Sequence, residues 1–317
     1  MNPIDALANA LANARRFDAR RFDGRRDDRV GRLRWPGGAG LAISFVLNIE
    51  ESAEWSMADV DALNEAVHEV TLRLDGGPDD CLGTHFDCGA RAGSARIVQR
   101  LTDAGLPLTL NVCGRALERT PWVEEDARRH GFELCGHGWR WASPASMDEA
   151  SERTAIAGTV ATLESLAGKA PVGWHCKGSR SPHTHRLLRE AGGFLFDSDN
   201  YGDDLPSLLA LGDGGPAHVV LPYAFDTNDM RFFGRGGFVH AADFSGQVGD
   251  ALTALLTESR TVPRMLTVGL HSRIIGRPGR VAGLDRLLQQ ITGLGDRVRV
   301  MTREDIARHW LQPMSAP

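Results

Sequence analysis

Short apolar runs alternate with amphipathic segments along nearly the whole chain, and this alternation constrains the fold more than any other feature. After a turn at Trp35–Gly38 comes Leu41–Ile49, almost continuously apolar until Asn48. A run of that length without polar alternation reads as a strand covered on both faces, as in parallel sheets. Further strands are expected at Pro107–Cys113, Phe132–Gly136, Val172–Cys176, Phe194–Asp197, His218–Tyr223, Met265–Leu270 and Val298–Met301. Helical spacing of apolar residues fills Ser94–Ala104, Pro121–His130, Met147–Ala167, Thr184–Ala191, Ala242–Ser259 and Arg280–Thr292. Glycine follows several of these helices, at Gly105, Gly131, Gly168 and Gly192, where a chain leaving a helix commonly turns left-handed.

Strands that alternate with helices without a linker predict one α/β domain over residues 35–312. A closed or nearly closed barrel is the first expectation, and a doubly wound open sheet is the alternative. Residues 1–34 are expected to form a polar N-terminal arm with a helix over Ile4–Arg15. The stretch Glu50–Gly89 is long, polar and irregular, so a helix and a loop over the mouth of the site are expected there.

Composition excludes several partners. The formal charge of −5 gives no reason to expect nucleic acid or an anionic membrane. No stretch reaches the roughly 18 apolar residues of a membrane span. The Arg- and Asp-rich N-terminus lacks an apolar signal core, so a cytoplasmic location is expected. The five cysteines contain no CxxC pair and read as reduced thiols.

In barrels and doubly wound sheets the chemistry lies at the C-terminal strand ends. Here those ends are polar. The first carries Asn48, Glu50 and Glu51. The third enters Cys135-Gly136-His137-Gly138-Trp139-Arg140-Trp141, which presents an imidazole between two glycines. The fourth carries His175 and Lys177, the fifth Asp199, the seventh His271 and Arg273, with Arg277 just beyond; Asn228 follows the sixth, and His85 and Arg91 lie before the second. Carboxylates, histidines and arginines around one cavity suit amide hydrolysis: a base for water, an acid for the leaving nitrogen, donors for an oxyanion. No GxxxxGK[ST] phosphate loop occurs. Trp141, four residues after His137, rules out a two-histidine metal clamp on that loop.

At these residues the chain resembles the polysaccharide deacetylase fold family, and within it the metal-independent allantoinase and cyclic-imidase-like branch. The matching stretches are Ser44–Glu51, Gly89–Gly93, His137–Trp141, Gly192–Asp199, Leu221–Tyr223 through Asp226–Phe232, Gly269–Arg273 with Ile275–Pro278, and Arg303–Ala307, in order along residues 44–307. The resemblance implies a distorted (β/α) barrel of about seven parallel strands. It implies, for the ordinary deacetylases of this fold, a divalent metal held by a first-strand aspartate and two histidines four residues apart. Here Asn48 and Glu50 stand at the aspartate positions and Trp141 at the second histidine.

The expected activity is therefore hydrolysis of a non-peptide C–N bond in a small cyclic amide or ureide, without a cofactor. Glu50, His137, His271 and Asp199 are the expected catalytic residues. Asn48, Glu51, His85, Arg91, Trp139, Arg140, Trp141, Lys177, Asn228, Arg273 and Arg277 are expected to bind substrate. The rival readings are a metal-dependent N-deacetylase of an amino sugar or peptidoglycan, with zinc on Glu50 and His137, and a non-catalytic barrel. The branch departs from this chain at His85–Gly89 and His175–Pro182, so the expectation extends to ring amides beyond allantoin. Relatives of this type also imply a homo-oligomer, a tetramer or dimer.

Overall fold

The computed structural model describes residues 33–70, 72, 74–209 and 217–312; the expected N-terminal arm lies outside them. Nine strands form one sheet: β1 (Leu41–Ile49), β2 (Thr109–Val112), β3 (Glu133–Gly136), β4 (Gly173–Trp174), β5 (Phe196–Asn200), β6 (Ser207–Leu209), β7 (His218–Pro222), β8 (Arg264–His271) and β9 (Val298–Val300). Their order is β6-β7-β5-β4-β3-β2-β1-β8, with β9 also on β1. Only β6 pairs antiparallel, which leaves seven parallel strands along that path. All residues of β1 are buried, as its continuous apolar run requires.

β7 and the segment after it meet β8 without a full ladder. Gly269 N donates to Thr227 O at 3.2 Å. Thr227 Oγ1 donates to Thr267 O at 2.6 Å, and Thr267 Oγ1 to Pro222 O at 2.9 Å. Arg303, fully buried, reinforces this closure: its guanidinium donates to Ser198 Oγ, Thr267 Oγ1 and Pro222 O at 2.7–3.1 Å. One side chain thus ties β5, β7 and β8 where backbone pairing is incomplete. The barrel is the distorted α/β barrel that the sequence predicts.

All eight expected strands and the six helices expected between them are present, with ends shifted by a few residues. β6 is additional, a short edge strand with two exposed residues. The helix expected within Glu50–Gly89 is Asp80–Cys88; helices at Gly114–Arg119 and Arg303–Leu311 are additional. Among the described residues no helix is long and apolar enough to cross a membrane.

Register is what matters for function. Ile49 lies level with Val112, Val112 with Gly136, Gly136 with Trp174, and Trp174 with Asp197; Asn48 lies level with His271. Residues just past these positions therefore leave the sheet at one rim, including Glu50, His137 and His175, with Asp199 near the end of β5 at the same rim. The rim is closed from one side by a π-turn at Gly89–Gly93. A Cβ at Gly93 would overlap the Ser272 carbonyl oxygen, so only glycine lets this turn lie against the strand tip that carries Arg273.

Candidate active site

Glu50 is the hub of the rim. One carboxylate oxygen lies 3.4 Å from His137 Nε2 and 3.5 Å from His271 Nε2; the other accepts from Arg273 Nη1 at 2.6 Å. Glu50, His137, His271 and Arg273 are each no more than 3% exposed. Burial alone would raise the Glu50 carboxyl, but Arg273 and His271 outweigh it and hold it well below the usual carboxylate range.

The two histidines are set up differently. His137 Nδ1 lies 2.7 Å from the His175 carbonyl, which can only accept, so Nδ1 carries the proton. In the neutral ring the lone pair is then on Nε2, the atom facing Glu50. His271 Nδ1 faces Asp229 Oδ1 at 2.6 Å, and its backbone N–H donates to the other Asp229 oxygen at 2.7 Å. Burial opposes charge on His271, yet the Asp229 and Glu50 carboxylates overcome it and push its pKa up to about 10. Nε2 is thus the His137 atom placed to exchange a proton beside the Glu50 carboxylate, and His271 is a fixed cation.

The His271 shift has a consequence for stability. Its folded value, about 10, lies above the ordinary 6.5, so the stabilisation is complete below 6.5 and disappears as pH rises through about 10. Thermal melts between those two pH values are expected to show an alkaline loss of Tm in the wild type that is absent in His271→Gln. Parallel declines in both proteins would remove His271 from this role.

Tertiary structure separates the remaining predicted residues. Glu51 accepts from the Arg273 backbone N–H at 3.1 Å and lies inside the cluster; burial raises its carboxyl. Arg277 donates to His85 Nδ1 at 2.7 Å, and His85 Nε2 stands 3.8 Å from Glu69, so this pair backs the site. Glu69 in turn accepts from Arg273 Nε at 2.9 Å. Asn48 is locked below the rim between Tyr223, Leu270 O and Asn111. Trp141 lies under the Lys177 ammonium, 3.5 Å from its ring centroid, and beside Arg273 at 4.8 Å. Lys177 also reaches Glu65 at 3.1 Å.

Others stand outside the cluster. Arg140 pairs with Asp61 and stacks on Trp55. Trp139 wedges between Gly114 and Gly158. Asn228 caps the turn at Asp229–Phe233. Arg91 is 77% exposed and pairs with Asp87 at 4.0 Å. Asp199 touches neither Glu50 nor His137; it accepts from Cys176 N at 2.8 Å and bonds His175 Nδ1 at 3.0 Å. His175 stacks on His137 at 5.2 Å and on Tyr223 at 4.4 Å. Asp229, His175 and Glu69 join the site without having been chosen as site residues from the sequence. Asp229 was hidden in an acidic turn, and His175 looked like one ordinary histidine among several.

The family model for polysaccharide deacetylase matches residues 75–194. A Schizosaccharomyces pombe protein with the provisional name polysaccharide deacetylase is 31% identical over 295 residues, covering 87% of this chain and 92% of the relative. This chain belongs to the polysaccharide deacetylase family. Among solved structures, PuuE allantoinase is 40% identical with a TM-score of 0.82, and a Pseudomonas aeruginosa protein with the provisional name polysaccharide deacetylase is 40% identical with a TM-score of 0.83. Each alignment covers 87% of this chain and 92% of the other. The protein is therefore a polysaccharide deacetylase-family hydrolase.

The family's divalent metal does not fit these residues. A catalytic zinc usually takes three protein ligands. Trp141 supplies none, Asn48 is committed to its neighbours, and the cation bonded to Glu50 is the Arg273 guanidinium. Among the described residues no three His, Cys, Asp or Glu side chains converge on a point where an ion would sit.

Proposed function

We propose that this protein hydrolyses a C–N bond of a small cyclic amide or ureide by metal-free catalysis. The observation that carries the reading is the Arg273–Glu50–His137 arrangement, in which a guanidinium holds the carboxylate that the fold otherwise offers to a metal. The allantoinase among its structural neighbours supports the same reading.

In this reading water is activated by His137 Nε2. The imidazolium formed there is neutralised by Glu50 at 3.4 Å. The developing oxyanion is met by fixed cations, His271 and Arg273. Arg273 Nη2 is buried and has no hydrogen-bond acceptor among the described residues, so it is free to donate to substrate. Fixed donors in a dry site stabilise an oxyanion without Lewis-acid help, and this suffices best for activated ring amides and imides. Asp199, through His175, keeps the His137 ring in place.

Purified protein is expected to turn over at least one of allantoin, hydantoin and succinimide, at a rate unchanged by prior treatment with chelator. Activity lost on chelation and restored by zinc would put the metal-dependent N-deacetylase reading first.

A further inference from the structure

The turn after β1 carries a third carboxylate that the reaction above leaves unused. Ser52 adopts φ +74°, a left-handed conformation that is strained for a non-glycine residue, and Ala53 N closes the turn on Glu50 O at 2.9 Å. This tight turn docks onto the His137 loop: Trp141 N donates to Ala53 O at 3.1 Å, and Arg140 Nη2 donates to Glu54 O at 2.8 Å. The Glu54 backbone is thereby pinned to the His137 loop; the residue is buried, and its Oε2 has no hydrogen-bond partner among the described residues. A buried carboxyl oxygen left unpaired is costly unless it serves a ligand or a reaction.

We propose that Glu54 is the catalytic acid that protonates the leaving nitrogen, an assignment that rests on the ring-amide reading above. Water oxygen bonds to the carbonyl carbon as its proton passes to His137 Nε2 and the carbonyl π pair moves to oxygen. When that pair returns, the C–N bond breaks, its electrons go to nitrogen, and the nitrogen takes the Glu54 proton. The ring opens to a carboxylic acid and a neutral amine or amide. The acid releases its proton to solvent, and the His137 proton returns through solvent to Glu54.

The surroundings suit the role. Burial pushes the Glu54 carboxyl up to about 7; the backbone N–H groups of its own turn, at Glu54 and Ser52, and the Arg273 charge oppose the rise, and Glu51 adds to it. Arg140 holds its backbone, Arg119 donates to Ser52 O of the same turn at 3.5 Å, and the Glu54 charge adds to the rise of the buried Cys113 thiol. An acid with a pKa near the working pH is both protonated and able to give its proton up. His271, held near 10, keeps its proton too firmly for that task.

The test is kcat/KM against pH for wild type, Glu54→Gln and Glu54→Asp on whichever ring amide is turned over. The wild type is expected to lose activity above about 7. Glu54→Gln is expected to be about 10²-fold slower and to lack that limb, and Glu54→Asp to recover part of both. A wild-type profile with no decline near neutrality overturns the assignment even if neither variant folds. A decline that persists in Glu54→Gln overturns it as well, while leaving ring-amide hydrolysis intact. No turnover of any ring amide by the wild type is a different failure: it removes the ring-amide reading, and the acid assignment with it.

Discussion

Replacing His137 by alanine is expected to lower kcat by about 10²- to 10⁴-fold, the usual contribution of a positioned general base. The argument is geometric. His137 is the one ring of the cluster whose Nδ1 is tied to a backbone carbonyl, so its Nε2 alone is free to accept a proton, 3.4 Å from Glu50. The Arg273–Glu50 pair does not depend on His137, so the fold is expected to survive. The loss should therefore fall on kcat rather than KM, with little change in Tm. Activity retained in His137→Ala would leave the proposed chemistry without its base; equal losses of activity and stability would mark the histidine as packing.

The second large effect is on stability. Arg273→Met is expected to destabilise the protein by about 3–5 kcal/mol, the cost of removing one partner from a buried ion pair. Arg273 is fully buried and bonds Glu50 at 2.6 Å and Glu69 at 2.9 Å. The variant strands both carboxylates in a dry environment. Burial by itself raises Glu69, but His85 and Arg273 bring it down to about 2 from an ordinary 4.5. A depressed carboxylate stabilises fully above 4.5, and the contribution is lost as pH falls through about 2. The gap between wild type and Arg273→Met in urea unfolding should accordingly narrow as pH is lowered from 4.5 towards 2. Adding Glu50→Gln to the variant should recover part of the loss, because the two residues share one network. A gap that ignores pH and does not respond to Glu50→Gln would mean that Arg273 contributes packing rather than charge.

The fold was legible because its signals are local and repeated. Each parallel strand is covered on both faces, so it reads as a short apolar run, and each crossover helix shows its own apolar stripe. The elements missed were those without such a signal. β6 is a three-residue edge strand with little to bury. Arg303–Leu311 begins with a buried arginine whose value lies in acceptors on β5, β7 and β8, none near it in sequence.

Much of the candidate site was legible too, for the same reason: Glu50 and His137 follow buried strands directly, His271 ends one, and a strand end is visible in sequence. Pairing was not. Asp199 and Arg91 looked equally able to reach substrate, yet one supports His175 and the other lies on the surface. Sequence by itself determined the barrel, the family resemblance and which residue types crowd one rim. Only the tertiary structure decided that Arg273 takes the carboxylate of Glu50, that Asp229 keeps His271 charged, and that a strained turn docks Glu54 on the His137 loop. Those contacts join residues up to 223 positions apart. The charges in them depend on burial that the whole fold creates, and no local pattern carries that information.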